Sequence, residues 1–254
     1  MKWRLIEQEA FDAPMNMAID HAIYESVANK RENPTIRFYR WKNNSVSISA
    51  YQNPKEVNVS ECRKNNVDVV RRLTGGRAVY HDKKDFTYSI VAPIKIFSYD
   101  ISRAYSEICY CIIDALGALG IKSSLENKND IIVGSRKISG NASKLMEKGV
   151  YLQHGTLVYD LDAELMSKVL NVEKSLVREK ATSIRNYKKV SQEKVYDELK
   201  SSFLFGKDFE IEALSDYEKM RARDLSESKY STIIASRFSF SKNKGVCYVE
   251  RGGN

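Results

Sequence analysis

The sequence predicts an α+β fold, with mixed β-sheets flanked by helices. Two observations lead there. Strand-like and helix-like stretches follow one another without the regular alternation that builds a doubly wound sheet. Between β-textured segments cut by glycines lies one strongly amphipathic stretch, Ser102 to Leu119. It places Tyr105, Ile108, Ile112, Ala115, Leu116 and Leu119 on a single helical face. No internal repeat, low-complexity segment or linker is evident, and 254 residues suffice for one large domain or two modest ones.

Leu5-Ile6-Glu7-Gln8-Glu9 reads as an opening strand. After Pro14, Ala18, Ala22 and Ile23 recur at helical spacing, so a helix is expected from about Asn16 to Ala28. Thr35 to Arg40 and Val46 to Ser49 are β-rich, and Gln52-Asn53-Pro54 is a turn. Ser60 is placed to cap a short helix ending near Asn66. The strand-like runs Val67 to Val70 and Ala78 to Tyr80 flank Gly75-Gly76 as a hairpin would. Phe86 to Val91 alternates as a strand into Pro93. Ser102 opens the long helix and Gly120 stops it.

From Lys122 to Tyr159 short strands are expected at Ile131 to Val133, Lys137 to Ser139 and Val150 to Val158, broken by Gly134, Gly140 and Gly149. Helices follow at about Ala163 to Leu170, Val190 to Phe203 and Asp216 to Ser226. Val246 to Val249 is a candidate edge strand. The central strands are expected in one mixed sheet with the long helix over one face.

At 43% hydrophobic and 29% charged, the composition is that of an ordinary globular protein. No apolar run reaches membrane-spanning length and Met1-Lys2-Trp3-Arg4 has no signal-peptide core, so a cytoplasmic location is expected, with no membrane partner. Cys62, Cys109, Cys111 and Cys247 form no C-x-x-C pair, which argues against structural zinc. The net charge of +8 suits an acidic protein or a nucleotide as well as nucleic acid. The lysines are scattered without an aromatic-plus-basic RNA signature, so no nucleic-acid partner is expected.

Three stretches can carry chemistry. In R-R-L-T-G-G-R-A-V-Y-H, Arg71 to His81, two glycines allow a sharp turn and close backbone approach, and arginines stand on both sides. Exposed N–H groups beside guanidinium charge suit an anion such as phosphate. On spacing alone the stretch is equally a β-hairpin whose turn lies near arginines. In N-D-I-I-V-G-S-R-K-I-S-G-N-A, Asn129 to Ala142, Lys137 sits in an apolar run and Arg136 points to the opposite face. An exposed strand lysine is the commoner fate. In Q-H-G-T, Gln153 to Thr156, His154 taken alone reads as a core histidine.

Together these stretches resemble the lipoate–protein ligase A family of the biotin/lipoate ligase superfamily. N-M-A-I-D (Asn16 to Asp20) precedes them, and T-S-I-R-N (Thr182 to Asn186) follows them in family order, resembling the loop that covers the adenylate. The resemblance spans about residues 1–230 and implies one catalytic domain over 1–254, with a C-terminal extension from about 231. It implies a class II biotin/lipoate ligase-like fold and an ATP-dependent activity. Lipoate becomes lipoyl-AMP, and the acyl group passes to a lysine of an apo-lipoyl domain.

The implied nucleotide site comprises Arg72, Gly75, Gly76, Arg77, Ala78, Val79, Tyr80, Asn129, Asp130, Lys137, Thr156, Ser183 and Arg185. Lys137, His81, Gly140, His154 and Gly155 would bind the lipoyl group, with Lys137 catalytic. Mg²⁺ would arrive with ATP, with Asp130 as a candidate contact. The implied acceptors are the E2 component of a 2-oxoacid dehydrogenase or a glycine-cleavage H-like protein.

Two departures refine this. G-G-R-A-V followed by F-T-Y-S is closer to the cysteine-dependent octanoyl transferases, whose nucleophile lies just before the segment matching Asn129. Here that loop, Ser123 to Lys128, has no cysteine, which favours the ligase. The chain also ends soon after Lys229-Tyr230-Ser231-Thr232, where many bacterial ligases begin an accessory domain. That implies a separate accessory subunit. Octanoyl or lipoyl transfer between carrier proteins, biotin ligation and a non-catalytic binding module are the alternatives.

Overall fold

A computed structural model describes residues 1–231. In chain order the elements begin β1 (Trp3–Phe11), α1 (Ala13–Ala28), β2 (Thr35–Trp41), β3 (Ser45–Ile48) and α2 (Val59–Lys64). Next come β4 (Asp68–Arg71), β5 (Val79–His81), β6 (Phe86–Pro93) and α3 (Ile101–Ala118). The middle holds β7 (Ser124–Glu126), β8 (Asp130–Val133), β9 (Arg136–Leu145) and β10 (Val150–Leu157). The last are α4 (Ala163–Val169), α5 (Lys174–Lys180), α6 (Gln192–Leu204), β11 (Phe209–Ile211) and α7 (Asp216–Ser228). The fold is mixed α and β, as expected; the edge strand expected at Val246 to Val249 lies outside the described residues.

The strands form two sheets where one was expected. A mixed eight-stranded sheet runs β11-β1-β2-β6-β10-β9-β8-β7, and a three-stranded sheet runs β4-β3-β5. The hairpin expected around Gly75-Gly76 does not form. β3 lies between the two strands, parallel to β4 and antiparallel to β5, so the glycine loop crosses over the end of β3.

The large sheet has two unlike faces because side chains alternate along each strand. Ile36, Phe38, Phe86, Tyr88, Ile90 and Tyr151 point to one face and form a core with Ile108, Ile112, Leu116 of α3 and Leu199, Phe203 of α6. The other face packs on α1 through Met17, Ile19, Ile23, Tyr39 and Val91. Arg37, Ser89, His154 and Ala142 lie in one cross-strand row of that second face, and Tyr39, Thr87, Thr156 and Gly140 in the next.

Boundaries differ from the sequence reading for local reasons. Asp100, rather than Ser102, caps α3 by accepting from the Ser102 and Arg103 N–H groups, and Asn58, rather than Ser60, caps α2. β9 runs through Gly140 without a break. β7, α5 and β11 were not expected. All three β11 residues are exposed, and α5 buries only Val177, so neither carries an apolar period.

α7 packs on α1 and supplies Glu218. This carboxylate is fully buried and takes two hydrogen bonds from the Arg4 guanidinium, at 2.9 and 2.6 Å, while closing a capping box with Ser215. Changing Glu218 to Ala leaves Arg4 with the Thr35 hydroxyl at 3.1 Å and, as its one nearby carboxylate, Glu32 at 3.3 Å. Stripping one partner from a buried pair commonly costs about 3–5 kcal/mol. The urea midpoint of Glu218→Ala should fall accordingly; a shift under about 1 kcal/mol would mean that Glu32 or solvent compensates Arg4.

Candidate active site

A cavity of about 280 Å³ opens between the second face of the large sheet and the glycine loop. Gly76, Lys137 and Gly155 meet in its wall, together with Arg72, Arg77, Ala78, Val79, His81, Asn129, Asp130, Gly140, His154 and Thr156. Gly75, Tyr80, Ser183 and Arg185 are not part of this wall. Tyr80 points to the far side of its strand, packs with Val46, Ile48 and Val69, and bonds Asp82 through its hydroxyl. Ser183 is buried, and Arg185 lies over the Tyr159 ring. Their loop is nevertheless tied to the site, since the Thr182 N–H donates to the Lys137 carbonyl at 2.9 Å.

A β-bulge aims Lys137 into the cavity. Ile131 pairs with Ser139, yet the next residue, Ile132, pairs with Lys137, so Ile138 is an extra residue on β9. Without it, Lys137 and Gly140 would face opposite sides of the strand. With it, both face the cavity alongside Asp130, and the Lys137 ammonium meets the Asp130 carboxylate at 2.6 Å. Gly140 is glycine for room: a Cβ there would lie 2.7 Å from the lysine Cε. Arg136 turns the other way and bonds the Tyr187 hydroxyl, as alternation predicts.

Arg72 sets the glycine loop. Its Nε donates to Thr74 Oγ1, one Nη to the Ser47 carbonyl and hydroxyl, and the other to the Gly75 and Arg77 carbonyls, all within 2.6–3.2 Å. Those bonds occupy all five guanidinium donors. Burial pushes its pKa down to about 10, so it remains charged at neutral pH. Gly76 has φ +99°, a conformation that side chains disfavour. Arg72 therefore shapes the loop and contributes its charge, while exposed Arg77 at the rim offers a guanidinium to a ligand.

Both histidines belong to one buried polar network. His81 stacks on Trp41 at 4.2 Å and bonds the Ser47 and Thr156 hydroxyls at 2.8 and 3.0 Å. Burial, then the neighbouring Arg72 guanidinium, holds its pKa well below 6.5, so it is neutral. His154 Nε2 lies 2.6 Å from Thr74 Oγ1, and its Nδ1 lies 3.5 Å from Asp20 Oδ2. Asp20 accepts from Arg37 at 2.7 Å and from Ser89 at 2.8 Å. This accounts for the N-M-A-I-D stretch, in which Asn16 also receives an Arg37 N–H. Gly155 has no space for a side chain, since a Cβ would fall 2.0 Å from Asn141 Oδ1.

Sequence reading did not single out Met17, Tyr39, Trp41, Ser47, Thr87, Asn141 or Ala142, which also line the cavity. The alternation in β2 carried a signal, because Tyr39 and Trp41 share a face with Arg37. Among the described residues no cluster of three or more His, Cys, Asp or Glu side chains exists to cage a metal. Asp130 is the one carboxylate in the cavity wall, which fits Mg²⁺ that arrives on a triphosphate and takes a single protein oxygen. No helix among the described residues is long and apolar enough to cross a membrane.

No described cysteine lines the cavity. Cys62 and Cys109 are buried, their thiol pKa values pushed up to about 11 and about 12 by burial, and burial raises Cys111 too. Cys247 lies outside the described residues.

Residues 12–204 match the family model of the lipoyl protein ligase A/B catalytic domain. The octanoyltransferase LipM of Clostridioides difficile is 29% identical, over 89% of this chain and 95% of that one. A crystal structure of lipoate-protein ligase A bound with ATP is 30% identical and superposes with a TM-score of 0.81, covering 91% of this chain and 97% of the other. A bipartite lipoate protein ligase of Thermoplasma acidophilum, described with its E2 lipoyl domain, is 28% identical at a TM-score of 0.78, covering 91% and 94%.

Three buried groups around this face set the pH dependence of stability. Burial, with Lys229 behind it, brings His21 down to about 4, and burial holds His81 well below 6.5. Below pH 6.5 the unfolded chain takes up both protons and the folded chain does not, so stability falls as pH drops toward 4. Asp85, whose carboxylate accepts the Asp82 and Tyr159 N–H groups, is pushed by burial up to about 8. It binds its proton in the fold but not in the unfolded chain, so its contribution is lost as pH rises toward 8. Between 4 and 6.5 two histidines oppose one carboxyl, and the histidines prevail. The urea midpoint should peak near pH 6.5 and decline on both sides, and Asp85→Asn should flatten the alkaline side. A midpoint climbing steadily to about pH 8 would contradict the Asp85 assignment.

Proposed function

This chain belongs to the lipoyl protein ligase A/B catalytic-domain family and is an enzyme of lipoyl or octanoyl transfer; we propose that within it the chain acts as an ATP-dependent lipoate–protein ligase catalytic subunit. The observation that carries the choice is that no usable thiol stands at the cavity among the described residues. A transferase holding its acyl group as a thioester needs an accessible thiolate beside the acyl carbon. Every described cysteine lies away from the cavity with its pKa raised. Basic side chains stand in the cavity wall instead, namely Lys137, Arg72 and Arg77.

In this reading the lipoate carboxylate attacks the α-phosphorus of ATP and pyrophosphate leaves. The acceptor lysine amine, shedding a proton, then attacks the acyl carbon, and the bond to AMP breaks. Two anions must meet in the first step, so preorganised positive charge carries most of the catalysis. Lys137 supplies it on a rigid strand, released from Asp130 toward the ligand. Gly76 and Arg77 face the phosphates, while His154, Met17 and Trp41 bound the acyl chain. Where ATP brings Mg²⁺, Asp130 would offer it one oxygen, and the ion would neutralise phosphate charge. The acceptor is an apo-lipoyl domain, and a separate accessory subunit completes activation; the bipartite Thermoplasma enzyme supports both.

Octanoyl transfer between carrier proteins is the second reading, favoured by the octanoyltransferase relatives. Incubation with an apo-lipoyl domain, lipoate, Mg²⁺ and ATP, with and without an accessory protein, separates the two. The ligase requires ATP. Transfer from an octanoyl carrier protein without ATP, abolished by changing one cysteine to serine, would establish the transferase.

Lys137→Ala should slow lipoyl transfer from supplied lipoyl-AMP by roughly a hundred- to a thousandfold, the usual effect of deleting one preorganised charge. Lys137→Arg should not restore it, because Gly140 leaves room for a compact ammonium and not a planar fork. Near-normal rates in a folded Lys137→Ala protein would displace Lys137 from the centre of the site.

A further inference from the structure

We propose that Asp20 is a positioning residue of this site, acting through His154 and Thr74 on Arg72 and the Gly75-Gly76 turn. Asp20 sits on α1, outside the cavity wall, and is fully buried. Arg37, Ser89 and Tyr39 all donate to its carboxylate, at 2.7, 2.8 and 3.2 Å. Burial alone would raise its pKa, but Arg37 and His154 hold it low, so it is ionised and can only accept.

That fixes the direction of each bond beyond it. The ring nitrogen facing Asp20 is His154 Nδ1, which must carry the proton. With that proton on Nδ1, Nε2 is left as the acceptor, and the Thr74 hydroxyl donates to it at 2.6 Å. With its proton committed, Thr74 Oγ1 offers lone pairs to Arg72 Nε at 3.2 Å. The remaining Arg72 donors hold the Gly75 and Arg77 carbonyls. One end of this chain is the cavity wall at His154 and the other is the anion-facing loop. A carboxylate on α1, behind the cavity wall on the same face of the sheet, thus selects the tautomer that keeps the loop in place.

The inference rests on the functional reading only for what the loop does; the tautomer is independent of it. The chain has three histidines, so ¹⁵N imidazole spectra assigned with His154→Gln read His154 directly. Wild type should show the Nδ1-protonated neutral ring. In Asp20→Asn the Nε2-protonated form should appear, and transfer from lipoyl-AMP should fall roughly ten- to a hundredfold, the usual effect of losing a hydrogen bond to a charged group. KM for the lipoyl domain should stay unchanged.

Thr74→Val should lose a similar factor. If both act through one chain, the double variant should lose no more than the worse single one. A wild-type ring protonated at Nε2, or on both nitrogens, would overturn the proposal without any variant. So would multiplicative losses in the double variant. If wild type is inert with lipoyl-AMP, the ligase reading fails; the same rates are then taken from octanoyl transfer between carrier domains, and the spectra still decide the tautomer.

Discussion

The interaction on which the site depends is the buried Arg72 guanidinium with all five of its donors occupied. A charge inside protein is tolerable only when its hydrogen bonds are complete. Here the acceptors come from β3 through Ser47, from the loop through Thr74 and Gly75, and from the approach to β5 through Arg77. Satisfying the charge and shaping the loop are therefore the same event. Any conformation of the turn that turned the Gly75 or Arg77 carbonyl away would strand a buried donor. The loop is stiff although it is built of glycines.

The large sheet divides its labour by face. Alternation sends Phe38, Tyr88 and Tyr151 to an apolar core under α3 and α6, and sends Arg37, Thr87, His154 and Thr156 to the cavity side. Polar side chains on a buried face are costly unless paired, and here each is paired: Arg37 with Asn16 and Asp20 of α1, His154 with Thr74 and Asp20, and Thr156 with Thr87 and His81. The bulge at Ile138 breaks this order beside the cavity. It leaves Ile138 in the core while rotating Lys137 to the cavity side.

Much of this was legible in the sequence, and the failures have physical causes. The helical spacing of apolar residues in α1, the single apolar face of α3 and the alternating run of β6 located those elements, because packing against a core imposes such spacing. Gly140 looked like a strand break. Its missing side chain instead makes space for the Lys137 ammonium, a contact across three residues that no local pattern encodes. The bulge is a relation between two strands, so β9 alone cannot reveal it. Tyr80 was grouped with its neighbours as a ligand contact, but alternation carries it to the opposite side from Val79 and His81. Asp20 was visible only as a letter in N-M-A-I-D; its partners Ser89 and His154 are more than sixty residues away (|i−j| 69 and 134).

The insertion of β3 between β4 and β5 also governs when the site can come into being. Two strands joined by a short turn usually zip together on their own, within microseconds. These two never touch, so the glycine turn has no local partner and must wait for a strand made earlier in the chain to settle between them. Its histidine support on β10 is synthesised some eighty residues later still, the Thr74 to His154 separation being 80. On the ribosome the anion loop is therefore translated early and organised late. Until β10 emerges and docks, Arg72 is a solvated arginine in an open segment, and a nascent chain stopped before Val150 has the complete loop sequence and no binding site.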